Sequence, residues 1–135
     1  MESYILIALA STVFFGANAI ILKSAKNIDS TSLTLISLAT AAFLTLLYWI
    51  FFVKEKILSS LGVASGVLSG AVYFLALLLF VVALKRGSTS VVATLNALSA
   101  LVAVFLAVIL LSEKLTLTKI AGIALGIAAA VLLAV

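Results

Sequence analysis

Five long apolar stretches divide this chain, and four of them carry no charge at all. They run Tyr4–Leu22, Thr31–Val53, Ile57–Leu84, Ser90–Leu111 and Leu117–Val135, with charges gathered at the breaks between them. A helix crossing a hydrocarbon layer of about 30 Å needs roughly 20 such residues. In lipid the backbone must satisfy its own hydrogen bonds, so segments of this kind fold as helices. The spacing predicts an all-α membrane protein, a bundle of five transmembrane helices in one domain, residues 1–135.

Composition agrees and excludes other classes. Hydrophobic residues make up 67% of the 135, against eight basic and four acidic side chains. A soluble domain has roughly 25% charged residues, and this chain has 9%. Too few charges remain for a hydrated surface or a nucleic-acid footprint, so no nucleic-acid partner is expected and the lipid bilayer is. Cys and His are both absent. That removes thiolate and imidazole chemistry, so neither a metal nor another cofactor is expected, and no enzyme. Pro is absent too, so no proline kink is expected in any span.

The breaks carry helix signals. Asp29-Ser30 suits an N-cap for the second helix, Ser88-Thr89-Ser90 for the fourth and Thr116 for the fifth. Gly87 fits the position just past the third helix. Tyr4, Tyr48 and Trp49 sit near span ends, where amphipathic rings prefer the interface. The third segment is longer than a crossing needs. It is expected to tilt or to leave Ile57–Leu61 in the interface. Lys119, in the first turn of the fifth, can snorkel to the headgroups.

Five crossings would place Lys54, Lys56, Lys114 and Lys119 on one side and Lys23, Lys26, Lys85 and Arg86 on the other. Orientation normally follows an excess of Lys and Arg on the cytoplasmic side, and here the two sides tie. Either another property, such as first-helix hydrophobicity, sets the orientation, or copies insert both ways and pair antiparallel. Inverted repeats are a common transporter plan. A five-span unit used twice, once inverted, would build such a transporter, and this chain would be one half of it.

Small residues let helices approach in lipid. Gly62, Gly66 and Gly70 form one row, and Gly122 and Gly126, continued by Ala130, form another. Both are read as helix-packing faces, within one chain or between two.

No charged residue lies at the centre of any span. Ion-coupled carriers usually keep a carboxylate there, so tight proton coupling is not expected. Neutral polar residues remain. Asn18 follows Ser11 by a heptad. Ser65, Ser69 and Tyr73 form an i, i+4, i+8 row. Asn96 and Ser99 are three apart, with Thr94 nearby. A buried amide needs a partner. Asn18, Ser69, Tyr73 and Asn96 are therefore read either as interhelical hydrogen-bonding groups or as the lining of a substrate cavity. Hydroxyls such as Ser65 and Ser69 can instead bond their own i−4 carbonyls. Glu113 beside Lys114 reads as an interfacial ion pair, with proton coupling as the less favoured reading.

Three stretches then resemble an EamA-type domain of the drug/metabolite transporter superfamily. They are Lys85-Arg86-Gly87-Ser88-Thr89-Ser90-Val91-Val92-Ala93-Thr94-Leu95-Asn96, Leu111-Ser112-Glu113-Lys114-Leu115-Thr116 and Ile120-Ala121-Gly122-Ile123-Ala124-Leu125-Gly126. Phe15-Gly16-Ala17-Asn18 resembles the family's first-helix pattern. The resemblance implies half of a ten-span protein built from two inverted five-span repeats, hence a homodimer around a cavity for a small-molecule metabolite. It matches Asn18 to the family's first-helix Asn and Glu113 to its end-of-helix Glu. Ala100 stands where family repeats often have Pro, which puts proline-based gating in doubt. The expected function is a small multi-pass permease or exporter in the cell membrane, taken as the cytoplasmic membrane of a prokaryote. A subunit of a heteromeric flippase for a lipid-linked metabolite and a non-transporting membrane scaffold are the alternatives.

Overall fold

The computed structural model describes residues 3–54, 57, 59–112 and 116–134. Among them the chain is wholly helical, with α1 Ser3–Ser24, α2 Ser30–Phe52, α3 Ser60–Arg86, α4 Thr89–Ala97, α5 Ser99–Leu111 and α6 Leu117–Ala134. Four helical stretches are long and apolar enough to cross a membrane: Leu6–Ser24, Ser30–Phe52, Ser60–Arg86 and Thr89–Leu110. A fifth apolar helical stretch, Ile120–Ala129, is shorter. The chain folds as two compact units, residues 21–86 and residues 1–20 with 87–135.

Local chemistry explains the helix ends. Asp29 holds the N-cap of α2 in extended backbone, and its carboxylate accepts from the Ser32 N–H at 2.8 Å. At α3 the same role falls to Ser59, whose hydroxyl accepts from the Gly62 N–H at 3.1 Å. The helix therefore begins at Ser60, and Ile57 lies outside it. At 27 residues α3 is about 40 Å long, more than a perpendicular crossing uses.

Two expected caps differ. Gly87 does follow the last residue of α3, but no described glycine has positive φ; the left-handed positions are Asn27 and Ser112. Asn tolerates that conformation better than most residues, which suits Asn27 in the tight connection after α1. At α4, Ser88 has N-cap backbone angles but its hydroxyl makes no cap bond.

The fourth expected span is divided. The α-helical ladder breaks at Leu98, which has φ −62° and ψ −16°. Its N–H turns to the Leu95 carbonyl at 3.1 Å, and the Leu101 N–H turns to the Leu98 carbonyl at 2.9 Å. These three-residue bonds are a turn of 3₁₀ geometry. Asn96 and Ser99 flank it, and both residue types compete with the backbone for hydrogen bonds. An interruption thus occurs close to Ala100 without proline.

In the unit of residues 21–86, α2 packs on α3. Its buried side chains are Leu22, Thr34, Leu77, Val81 and Leu84. All lie toward the C-terminal ends of α1 and α3 and the N-terminal end of α2. Leu77, Val81 and Leu84 repeat at i, i+4 and i+7, one helix face. Thr34 is buried without loss because its hydroxyl donates to the Ser30 carbonyl at 2.8 Å. The first half of α3 is exposed throughout. In the other unit, α4 packs on α6.

Candidate functional site

The packed end of residues 21–86 is held by two lysines. Lys23, in the last turn of α1, donates from Nζ to the Leu84 carbonyl of α3 at 2.5 Å. Lys85, in the last turn of α3, donates from Nζ to the Ile28 carbonyl and to the Ala25 carbonyl, the latter at 3.4 Å. Carbonyls at helix C-termini lack intrahelical partners, and the dipole there favours a cation. These contacts place the C-terminal ends of α1 and α3 side by side. Arg86 and Lys26 are exposed at the same end. The Asp29 carboxyl is held below its ordinary 3.8 by hydrogen bonds from the Ser32 side chain and then the Ser32 backbone N–H.

The far end of α2 is aromatic. Tyr48 and Phe52 stack with centroids 5.1 Å apart and planes 17° apart, and Trp49 lies between them in sequence. Aromatic rings mark a membrane interface, so this unit has one cationic and one aromatic end.

The neutral polar residues sort clearly by their hydrogen bonds. Ser11 and Thr12 donate to the Ala8 and Leu9 carbonyls, each at 2.7 Å. Ser65 donates to the Leu61 carbonyl at 2.9 Å, and Thr94 to the Ser90 carbonyl at 2.7 Å. Those hydroxyls serve their own helices. Ser69 makes no such bond among the described residues. It is exposed on α3 four residues before Tyr73, which is 48% exposed, so both occupy one face of that helix. In the other unit Asn18 is half-buried on α1, and Asn96 is exposed at the end of α4, next to the Leu98 turn. Asn18 and Asn96 belong to one unit, Ser69 and Tyr73 to the other.

The expected Glu113–Lys114 pair lies outside the described residues. The glycine rows are open. A Cβ placed on Gly66, Gly70, Gly122 or Gly126 would meet nothing within 4 Å, whereas one on Gly62 would meet the Ser59 hydroxyl at 2.9 Å. Gly62 is thus tied to the start of its helix. An apolar cleft of about 530 Å³ opens between α5 and α6, lined by Leu101, Val104, Phe105, Val108, Ile109, Ile120 and Ile123. It offers no hydrogen bond to a polar cargo.

Comparison with known families decides the class. The model of the EamA-like transporter family matches residues 2–135. The chain belongs to that family. Comparisons with curated proteins and with solved structures gave no match. As an EamA-like protein the chain is a multi-pass membrane protein of a transporter family, in contact with the lipid bilayer.

Two features were not legible in the sequence. Lys23 and Lys85 read as interfacial charges, and nothing along the chain paired them across 62 residues. Basic residues in the last turns of both helices were the available signal. The Leu98 turn was hidden because Ser90–Leu111 is uniformly apolar enough for one helix.

Proposed function

We propose that this EamA-like chain is a small permease for a neutral, zwitterionic or amphiphilic metabolite, working as an antiparallel homodimer by alternating access. The observation that carries the choice of cargo is the neutral polar set Asn18, Ser69, Tyr73 and Asn96 in membrane-spanning helices whose spans hold no carboxylate. Such groups replace the hydration of a polar, uncharged cargo by hydrogen bonds, and they offer no site for proton exchange. Facilitated diffusion or weakly coupled export follows.

Asn96 beside the Leu98 turn supports the same reading. Irregular backbone at membrane depth is tolerated where it faces protein or a wet cavity, and interrupted helices commonly bear transporter sites. Two further observations support the dimer. Lys and Arg are divided equally between the expected sides, and the exposed first half of α3 presents Gly66 and Gly70 with nothing against them. A second, inverted copy would cover that face with close helix contact.

The test is flux in liposomes. Purified protein is reconstituted into vesicles preloaded with a pool of labelled neutral and zwitterionic metabolites. Release of at least one of them, reduced in Asn18→Ala and Asn96→Ala, is expected. Vesicles that retain the whole pool would remove the permease reading and favour a scaffold.

A further inference from the structure

The end of residues 21–86 where α1 and α3 finish is rich in positive charge. Lys23, Lys26, Lys85 and Arg86 meet there, and Asp29 is the one acidic residue between Lys23 and Ser30. The Asp29 carboxylate is turned to the N-terminus of α2, where Ser32 holds it. It does not neutralise the group. Lys85 is directed to backbone carbonyls, which accept from its N–H donors but carry no negative charge. Lys26 and Arg86 flank those contacts. Lys26 follows Ala25, whose carbonyl Lys85 bonds, and Arg86 adjoins Lys85 itself. Both side chains are exposed.

We propose that this end binds the phosphodiester headgroup of an anionic phospholipid, with Arg86 and Lys26 as its direct donors and Lys85 as the fixed positive background. The span ends Ser24, Ser30 and Arg86 put the group in the headgroup layer, where phosphodiesters are concentrated. Arg presents a planar fork that fits two phosphate oxygens. Basic clusters between transmembrane helices attract acidic headgroups by about 1 kcal/mol per cation. A zwitterionic headgroup brings its own ammonium and gains far less. The inference rests on membrane insertion alone and stands whether or not the chain transports anything.

The test uses the purified full chain in a neutral detergent, where insertion orientation plays no part. Phosphatidylglycerol and phosphatidylcholine with identical acyl chains are added in equal amounts, and retained lipid is read by native mass spectrometry. The unmodified protein is expected to prefer phosphatidylglycerol on the order of ten-fold. Lys26→Gln with Arg86→Gln should bring retention near parity, Arg86→Lys should keep most of the preference, and Lys54→Gln, at the far end of α2, should leave it unchanged. Equal retention of both lipids by the unmodified protein would overturn the proposal without any variant. So would an equal loss in Lys54→Gln, which would reduce the effect to net charge. Displacement of phosphatidylglycerol by millimolar inorganic phosphate would assign the site to a free anion and overturn the lipid.

Discussion

Lys23 and Lys85 bond across one junction: Lys23 Nζ reaches the Leu84 carbonyl of α3, and Lys85 Nζ reaches the Ala25 and Ile28 carbonyls in the connection after α1. The exchange joins residues about 60 positions apart and closes over Leu22, Val81 and Leu84, each no more than 2% exposed. Removing either ammonium strands carbonyls that no helix satisfies. Lys23→Gln and Lys85→Gln should each lower stability by about 1–3 kcal/mol. Because both act on one junction, the double variant should lose less than the sum of the singles. Thermal unfolding of the four proteins in one detergent measures the coupling, and strict additivity would mean the two contacts are independent.

Leu84 is the tightest test of the packing beneath that junction. It is fully buried at the end of α3, so Leu84→Ala should cost about 2–5 kcal/mol through lost contacts and the cavity left behind. Leu79→Ala, five residues earlier and 68% exposed, should be close to neutral. The comparison needs only the shift in unfolding temperature of each.

Most of the helix pattern was readable because lipid imposes it. The apolar runs Tyr4–Leu22 and Thr31–Val53 end within two residues of α1 and α2, α3 starts three residues after the expected Ile57, and Asp29 announced its cap. What composition hides is geometry that depends on backbone competition or on distant partners. Asn96 and Ser99 looked like polar decoration on one helix, yet the chain turns between them at Leu98. Ser88 looked like a capping hydroxyl, yet only its backbone serves. Of the polar residues, Ser65 resolved to a bond with its own helix, as hydroxyls in apolar segments often do, while Ser69, one turn later, did not.

Asn18 and Asn96 are the residues on which the transport reading leans. Asn18→Ala or Asn96→Ala should each reduce metabolite flux about two- to ten-fold, the size of one lost hydrogen bond to cargo. Neither should change the oligomeric state in detergent. Normal flux in both variants would remove them from the path.

The glycine rows give a separate prediction about assembly. Among the described residues nothing lies within 4 Å of a Cβ at Gly66 or Gly126, so Gly66→Leu and Gly126→Leu should leave the helix content intact. If a second copy packs there, one or both should break the dimer. Size-exclusion chromatography with light scattering distinguishes a folded monomer from an unchanged dimer.

Acid should weaken the start of α2. The Asp29 carboxyl titrates below its ordinary 3.8 because Ser32 bonds the charged form. A lowered value means that the folded state holds the proton less tightly than the unfolded one. The stabilisation is therefore complete above the ordinary carboxylate range and fades as pH falls through the folded value. Asp29→Ala should lower the unfolding temperature at pH 7, with a smaller difference from the unmodified protein at pH 2. A constant gap between the two proteins at both pH values would contradict the cap.

The antiparallel homodimer is the centre of the account, and topology tests it most directly. The chain has no cysteine of its own, so a single cysteine appended after Val135 can be labelled with an impermeant maleimide in intact cells and again after lysis. The account predicts that about half of the copies label from outside. Labelling of all copies or of none in intact cells would mean one orientation, and the inverted pair would have to be abandoned.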